Sequence, residues 1–507
     1  MVSNPIYAAG PSTVAFVGAT AKPLAGMAKT YNIHTLQIEL GTVMNERKSS
    51  FWTPSIARAD GPVYLAIADA LQADIRSGRL PSGTRLPPQR SLAEALGIDF
   101  TTVTRAYAEA RRRGLVDGRV GQGTYVRQGR MTTLRPAPAG LVDMSMNLPP
   151  RFDDAPLTAR MWEGVGALEA EGGLELLLRY QQPGGAARDR EAGVAWLASR
   201  LPGVSVERLL VCPGAQGALL AVVSLLAAPG DTVCAEALTY PGFLSVAAQL
   251  RLNVAGVAID ENGILPEIFE QICITHKPRA LYCNPTISNP TTITLPLDRR
   301  RKLLEIAARY EVAVIEDDAY GALPVAPVPP LAALAPERVY HIAGLAKCLS
   351  PALRIAYLVV PDLRAAARLA GVIRATAAMA SPLTAAIASR WIEDGTAEAV
   401  LGAIRREARA RQAIASKLLP DGALLADREG FHGWLRLPSV WSRGEFAARL
   451  RSAGIGVVAS DAFALGSAPE AVRLGLGAAE DHEHLRQSLG IVADLLAQSP
   501  VVSATVV

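Results

Sequence analysis

Between Val339 and Val360 the chain has a single lysine, Lys347, with His341 and Arg354 as the only other basic residues and no acid. A lysine in so apolar a stretch is rarely buried without a task. Desolvation lowers an amine's pKa, which favours attack on a carbonyl to form an imine. A lysine snorkelling from a helix end is the plainer reading. Arg354, seven residues later, is placed to complete an anion clamp. Asp317 and Asp318 end the apolar run Val312–Ile315, and Tyr320 follows them. A carboxylate there can keep a heteroaromatic nitrogen protonated, as an electron sink requires, or it can be an ordinary polar strand end. Gly214-Ala215-Gln216-Gly217 follows the run Leu209–Cys212 and opens a helical stretch. Free backbone N–H groups at such a start suit a phosphate, although a glycine-rich turn alone is a weak signal. Arg473 lies in the strand-like run Ala471–Leu476. Its planar cation suits a carboxylate, with a structural ion pair as the competing reading.

A second set of candidates is basic. Residues 58–130 hold twelve arginines, no lysine and seven acids, a surplus of five positive charges on a chain whose formal net charge is +4. A basic segment on a near-neutral body suggests a polyanion site or a solvated charged face. The local pattern separates these readings. Residues 62–77 place Tyr64, Ile67, Ala68, Leu71 and Ile75 on one helical face, with Pro62 suited to the first turn. A short helix over Gln89–Leu96 stops at Gly97. Asp99 then caps a third helix, Phe100 to Arg113, whose apolar face is Val103, Ala106, Tyr107 and Ala110. The free face carries Thr101, Thr102, Arg105, Glu109 and Arg112. Residues 115–126 form short apolar runs around a glycine-rich tip, a β-hairpin with Arg119 and Gln122 exposed on it. Short helix, glycine turn, polar helix and hairpin make a winged helix-turn-helix. Arg105 is suited to donate bidentately to guanine, and Thr101 or Thr102 to phosphates or base edges.

Residues 62–126 resemble the winged-helix domain of GntR-type regulators. The matching pieces are Pro62-Val63-Tyr64-Leu65, Ser77–Pro87, Leu92–Gly97, Thr101-Thr102-Val103 and Gly121–Val126. The resemblance implies double-stranded operator DNA as partner, with Arg85, Arg90, Thr102, Arg105 and Gly123 at the DNA surface. Phe100 stands where many members have Arg.

After a stretch containing Gly129, Pro136, Pro138 and Gly140, apolar strands alternate with helices, as in Leu209–Val211 then Gln216–Ala228, and the helix Leu297–Tyr310 then Val312–Ile315. This alternation predicts an α/β domain with a mostly parallel sheet, and such sheets bind ligands at the C-terminal ends of their strands. Residues 143–497 resemble fold-type I aminotransferases of the aspartate aminotransferase kind, which use pyridoxal 5'-phosphate (PLP). The resemblance implies Lys347 as the Schiff-base lysine and Asp317 as partner of the pyridine nitrogen. It places Asn289, in Asn289-Pro290-Thr291, and Tyr320 at the phenolic oxygen, and Tyr240, in Thr239-Tyr240-Pro241-Gly242, on the ring. Gly214, Ala215, Gln216 and Arg354 would hold the phosphate, and Tyr180 would reach a neighbouring subunit's phosphate, so a homodimer is implied. Arg473 would bind an amino-acid carboxylate. The chain departs from the family in two places. The usual Ser-x-Ser-Lys is Gly344-Leu345-Ala346-Lys347, and Thr292 replaces the glycine of Asn-Pro-Thr-Gly.

The fusion resembles the MocR subfamily of bacterial regulators, in which the large domain senses an amino acid or amine through PLP. An active aminotransferase with a DNA-binding head, or a body that only dimerises the heads, remain open at this level. The expected organisation is a disordered extension (1–57), a winged-helix domain (58–128), a linker (129–142), the aminotransferase-like domain (143–497) and a tail (498–507). Met27 and Met44 are alternative starts. Five cysteines without a C-x-x-C pair suggest no disulfide framework or zinc site, and a reducing cytoplasm. No run reaches the roughly 18 apolar residues of a membrane span, and residues 1–21 lack the basic start of a signal peptide.

Overall fold

The computed structural model describes residues 52–54, 62–76, 79–81, 83–113, 115–119, 123–126, 142–170 and 173–498. They fall into two compact units, residues 1–135 and 136–507. Most of the expected 1–57 extension, residues 129–141 of the expected linker and residues 499–507 of the tail lie outside the described residues.

The described part of the first unit comprises helices Val63–Arg76, Gln89–Leu96 and Phe100–Arg112 and the hairpin Val116–Arg119/Gly123–Val126. Gly97 adopts the left-handed conformation that ends the second helix (φ 63°). Asp99 caps the third, accepting from the Thr101 amide at 2.7 Å. Leu71, Leu92, Val103, Tyr107, Ala110, Val116 and Val126 form the core, and the buried Tyr107 hydroxyl donates to the Pro87 carbonyl at 2.8 Å. Two expectations are corrected. Trp52, assigned to the disordered extension, packs on this core and donates to Asp74 at 2.8 Å; a large indole with one N–H gains by covering a helix that offers an acceptor. Glu109, assigned to the free face, is only 8% exposed. It accepts from Arg113 at 2.7 Å, and Arg113 also pairs with Asp69 of the first helix. The burial is tolerable because the carboxylate is paired.

In the second unit a seven-stranded sheet runs, in spatial order, Leu209–Cys212, Ala356–Val359, Val339–Gly344, Ala313–Asp317, Ala280–Cys283, Thr232–Glu236 and Asn253–Val257. Every pairing is parallel except the two made by Ala356–Val359. Both faces are covered, which is why these strands are almost uniformly apolar. Helices Gly214–Leu226, Pro241–Gln249 and Leu363–Ala377 pack one face through Leu219, Val222, Phe243 and Leu369. The other face is filled by Trp196, Phe269, Leu303, Ala388 and Trp391. A four-stranded antiparallel sheet containing His432–Arg436 and Ala471–Gly475 packs with helices Arg443–Ser452 and His482–Ala497 as a smaller lobe. Val142, assigned to the linker, is already paired with Ile455 in a parallel two-stranded ladder. Gln498, assigned to the tail, accepts from the Trp441 indole at 3.0 Å. Among the described residues no helix is long and apolar enough to cross a membrane.

Candidate functional site

Four side chains converge at the C-terminal ends of the parallel strands, where crossovers leave a crevice. Asp317 ends the strand Ala313–Asp317, Lys347 follows Val339–Gly344, and Tyr282 and Glu236 sit near the ends of the two strands beyond. Asp317 is buried. Its Oδ2 accepts from the Tyr282 hydroxyl at 2.8 Å, while its Oδ1 has no partner. Burial pushes its pKa up to about 6, against the Tyr282 hydrogen bond and the charges of His341 and Lys347. Glu236 is pushed further by burial, to about 8. At neutral pH Asp317 is therefore the ionised member of the pair and Glu236 the protonated one. Asp318, the other carboxylate read from sequence, turns away into an ion pair with Arg200.

Lys347 donates to the carbonyl of Asn147. Burial, with help from the Arg473 and Arg354 charges, pulls its pKa down to about 8, and Asp317 opposes the shift. The Asn147 side chain donates to the Tyr320 hydroxyl at 2.7 Å. Arg473, in the smaller lobe, donates to Asn289 Oδ1 at 2.8 Å and to the Ser145 carbonyl, and its guanidinium lies 5.1 Å from the Phe463 ring centre. Asn289 is held because Arg300, fully buried, ties down the loop before it through Pro285, Thr286 and Leu295. His432 donates to the Ser288 carbonyl at 3.1 Å and leans on Tyr320; burial lowers its pKa to about 3, so it is neutral.

At the other end of the site the helix Gly214–Leu226 starts without a side-chain cap, which leaves its first N–H groups to an anion. Gly214 has φ 78°, a left-handed backbone that favours glycine, and the Arg354 guanidinium lies beside it, 3.4 Å from where a Cβ would stand. The Gln216 side chain donates to the Gly242 carbonyl at 2.8 Å; what it offers at the helix start is its backbone N–H. Tyr240 immediately precedes the helix Pro241–Gln249 and is partly buried. Tyr180 is not gathered into this cluster and is 89% exposed. Tyr282, Glu236, Asn147 and His432 are the members that the sequence reading missed.

In the first unit Arg105 and Thr101 are exposed on the third helix and Thr102 is half-buried. Thr101 also donates its hydroxyl to Asp99. The Arg90 guanidinium lies 5.9 Å from the centre of the exposed Phe100 ring. Arg85 is exposed beside the hairpin, bridging to Tyr125, and its side chain crosses Gly123 so closely (2.9 Å from a Cβ placed there) that any other residue would displace it. Arg119 lies in the hairpin backbone, whereas its side chain and the whole of Gln122 fall outside the described residues.

The family model for bacterial regulatory proteins, gntR family, matches residues 63–126. That for aminotransferase class I and II matches residues 167–491. The uncharacterized HTH-type transcriptional regulator YdeF of Bacillus subtilis is 32% identical over 451 residues, covering 88% of this chain and 96% of YdeF. TauR of Rhodobacter capsulatus, an HTH-type transcriptional regulator, is 27% identical over 75% of this chain and 85% of its own length. The probable rhizopine catabolism regulatory protein MocR of Rhizobium meliloti is 26% identical over 60% of this chain and 66% of its own. The chain belongs to the MocR subfamily of GntR-type transcription regulators. Its second unit has the fold-type I aminotransferase fold. The α-aminoadipate aminotransferase LysN of Thermus thermophilus, solved with N-(5'-phosphopyridoxyl)-L-leucine, superposes with a TM-score of 0.65 at 25% identity over 73% of this chain and 94% of LysN.

Both departures of this MocR-subfamily chain from the aminotransferase pattern have a local basis. A Cβ at Gly344 would lie 3.2 Å from the Ala215 Cβ, so a serine there would press on the start of the helix Gly214–Leu226. Thr292 keeps the left-handed backbone of the glycine it replaces (φ 64°). Its hydroxyl donates to the Thr291 carbonyl at 2.6 Å, a local hydrogen bond that helps to offset the strain.

Proposed function

We propose that this transcription regulator binds PLP in its aminotransferase-like unit and senses an amino acid or amine by Schiff-base exchange at Lys347, changing how a homodimer engages operator DNA. The observation that carries the reading is a half-buried, readily deprotonated lysine in the same site as a buried carboxylate with one oxygen unpartnered. The residues present fit PLP. An orphaned carboxylate oxygen suits a protonated pyridine nitrogen, and an uncapped helix start beside Arg354 suits a phosphate. When bound, PLP supplies an aldehyde that condenses with amines. Lys347 would hold it, Asp317 would keep the ring nitrogen protonated, and Asn289 and Tyr320 would donate to the phenolic oxygen. Arg473 takes Oδ1 of Asn289, which leaves the amide Nδ2 as that donor. Tyr240 would lie on the ring. Gly214, Ala215, Gln216 and Arg354 would hold the phosphate, together with Tyr180 from a second subunit. Arg473 would hold the effector's carboxylate. Effector binding can alter DNA binding only through different affinities for the two states.

The test is a visible spectrum of the PLP-loaded protein titrated with amino acids and amines while keto acid is assayed. A spectral change with one or two compounds and little product supports sensing. Steady keto-acid release would instead mark an aminotransferase carrying a DNA-binding head. An absence of PLP uptake would overturn the reading.

Lysine titration adds a second prediction. With a pKa of about 8, the fraction of Lys347 that is neutral rises about fivefold between pH 7 and pH 8 and then levels off. The rate of PLP uptake should follow this rise, where an unperturbed lysine would give a rate still climbing tenfold per pH unit at pH 9.

On the DNA side, Arg105 would read a guanine while Arg85, Arg90, Thr101, Thr102, Arg119, Gln122 and Gly123 contact the duplex around it. Arg105→Ala should cost about 1–3 kcal/mol at a specific site and relax preference at one base pair, measured by binding to a selected duplex and its single-base variants. Equal weakening on all duplexes would make Arg105 a phosphate contact.

A further inference from the structure

The third helix of the first unit presents two adjacent rows of exposed side chains. Thr101, Arg105 and Arg112 form a polar and basic row, and the DNA contacts proposed above draw on it. Beside it, at four-residue spacing, run Phe100, Thr104 and Ala108, all exposed. This second row carries no charge. Phe100 is 43% exposed and, with Val63, is one of two large apolar side chains exposed among the described residues of the unit. The Thr104 hydroxyl hydrogen is shared between Gln89 Oε1 at 2.9 Å and the Phe100 carbonyl at 3.0 Å. What Thr104 has left to offer is its methyl, as Ala108 offers its own. A ring and two methyls thus make an apolar strip along the helix. The Arg90 guanidinium lies over the Phe100 ring, 5.9 Å from its centre, and steadies the ring from one side. A single exposed apolar side chain is ordinary on a protein surface. This one stands at the first position of the recognition helix of a helix-turn-helix, where N-terminal residues meet base edges.

We propose that Phe100 is a specificity-determining residue that reads the 5-methyl group of a thymine in the major groove, close to the guanine assigned to Arg105. The inference rests on the reading of the third helix as the one that enters the groove. Chemistry narrows the target. With no charge and no uncommitted side-chain donor, the strip can neither neutralise a phosphate nor donate to a base. The major-groove group that matches an apolar surface is the thymine methyl, which the other three bases lack. A ring laid on that methyl takes two apolar groups out of water. Laid on the polar edge of a guanine or cytosine, it would desolvate donors and acceptors without pairing them. Phe100 and Arg105 are five residues apart, about 7.5 Å along the helix axis, or about two base-pair steps. The two rows then divide the reading: Arg105 supplies hydrogen bonds to one base pair, and Phe100 supplies apolar contact to another nearby.

The experiment isolates the methyl. A duplex is selected from a random pool with the full-length wild-type protein, and each of its thymines is replaced in turn by uracil, which removes the 5-methyl group alone. In the wild type one such replacement, about two pairs from the guanine that Arg105 reads, should weaken binding about fourfold, as the loss of one buried methyl implies. In Phe100→Ala the same replacement should have no effect, while the preference for the guanine persists and shows that the helix is still docked. Phe100→Leu, which keeps an apolar side chain, should keep part of the preference for thymine. The absence of any thymine-to-uracil effect in the wild type, or an effect that persists in Phe100→Ala, overturns the proposal. So does a Phe100→Ala protein that binds every duplex more weakly by the same factor, which would make Phe100 a packing residue or a contact for a protein surface. If the thermal midpoint shows Phe100→Ala to be unfolded, Phe100→Gln decides in its place. Failure of the underlying DNA-contact reading looks different: no single duplex emerges from the selection, or Arg105→Ala leaves every base preference intact, and this proposal falls with it.

Discussion

Lys347→Ala should abolish the PLP-dependent change in operator binding completely while leaving PLP-free operator binding within about twofold of the wild type. An allosteric ligand of this kind typically changes affinity by about 5- to 150-fold, so the loss is large on the scale of the assay. Replacing Lys347 removes the amine that would hold the cofactor's aldehyde and changes no residue of the first unit. The variant should also fold well. A lysine whose folded pKa is depressed from 10.5 to about 8 is a liability below that value. The unfolded chain binds the proton more tightly, so stability is present above the unfolded pKa and falls as pH drops toward 8. At neutral pH the penalty is on the order of 3 kcal/mol. Lys347→Met, which keeps the side chain's length and apolar stem, should therefore raise the thermal midpoint of the PLP-free protein at pH 7 and change it little near pH 10.5. A variant that still shows PLP-dependent operator binding would sink the sensing proposal. One that is less stable at pH 7 would show that the hydrogen bond to Asn147 outweighs the burial of the amine.

What could be read from the sequence was what is encoded locally. The second helix of the DNA-binding unit was legible from its apolar spacing and Gly97 to the residue, and the third to within one, because capping and termination depend on neighbours in sequence. Lys347 stood out as a lone lysine in an acid-free apolar stretch, and it lies beyond the strand Val339–Gly344 within reach of the Asp317 charge. The residues by themselves did not separate Asp317 from Asp318; only the family resemblance singled out Asp317. Their side chains leave opposite faces of the strand end, and only the pairing of Ile315 with Tyr282 shows which one receives a tyrosine hydroxyl. Asn147 gave no signal at all, since its partner Tyr320 lies 173 residues away and no local pattern encodes a hydrogen bond over that separation. Glu109 was misplaced for the same reason. Its spacing put it on the helix's polar face, but Arg113 and Asp69 from the first helix draw that edge inward.

Asp317→Asn should weaken PLP binding by about a hundredfold or more and flatten its pH dependence. Asparagine is close to isosteric and retains an acceptor for the Tyr282 hydroxyl, so the site's shape should survive. What it cannot do is carry charge. Leaving a buried cation without its counter-charge costs about 3–5 kcal/mol, which corresponds to roughly 10²- to 10⁴-fold in affinity. The pH argument follows from the direction of the shift. Burial raises the Asp317 pKa to about 6, above its unfolded value, so in the PLP-free protein the carboxyl's contribution to stability is full below pH 4 and lost as pH rises through 6. Above that point a buried carboxylate with an unpartnered oxygen is waiting for a positive partner, and a protonated ring nitrogen is one. The gain in thermal midpoint on adding PLP should accordingly increase between pH 5 and pH 7 in the wild type. In Asp317→Asn this increase should shrink to what the cofactor's phosphate and Lys347 contribute on their own. Glu236 provides the control. Pushed to about 8 by burial, it is neutral across that window, so Glu236→Gln should leave the pH dependence in place. If Glu236→Gln flattens the curve and Asp317→Asn does not, the two carboxyls have exchanged roles, and the strand Thr232–Glu236, not Ala313–Asp317, carries the partner of the ring nitrogen.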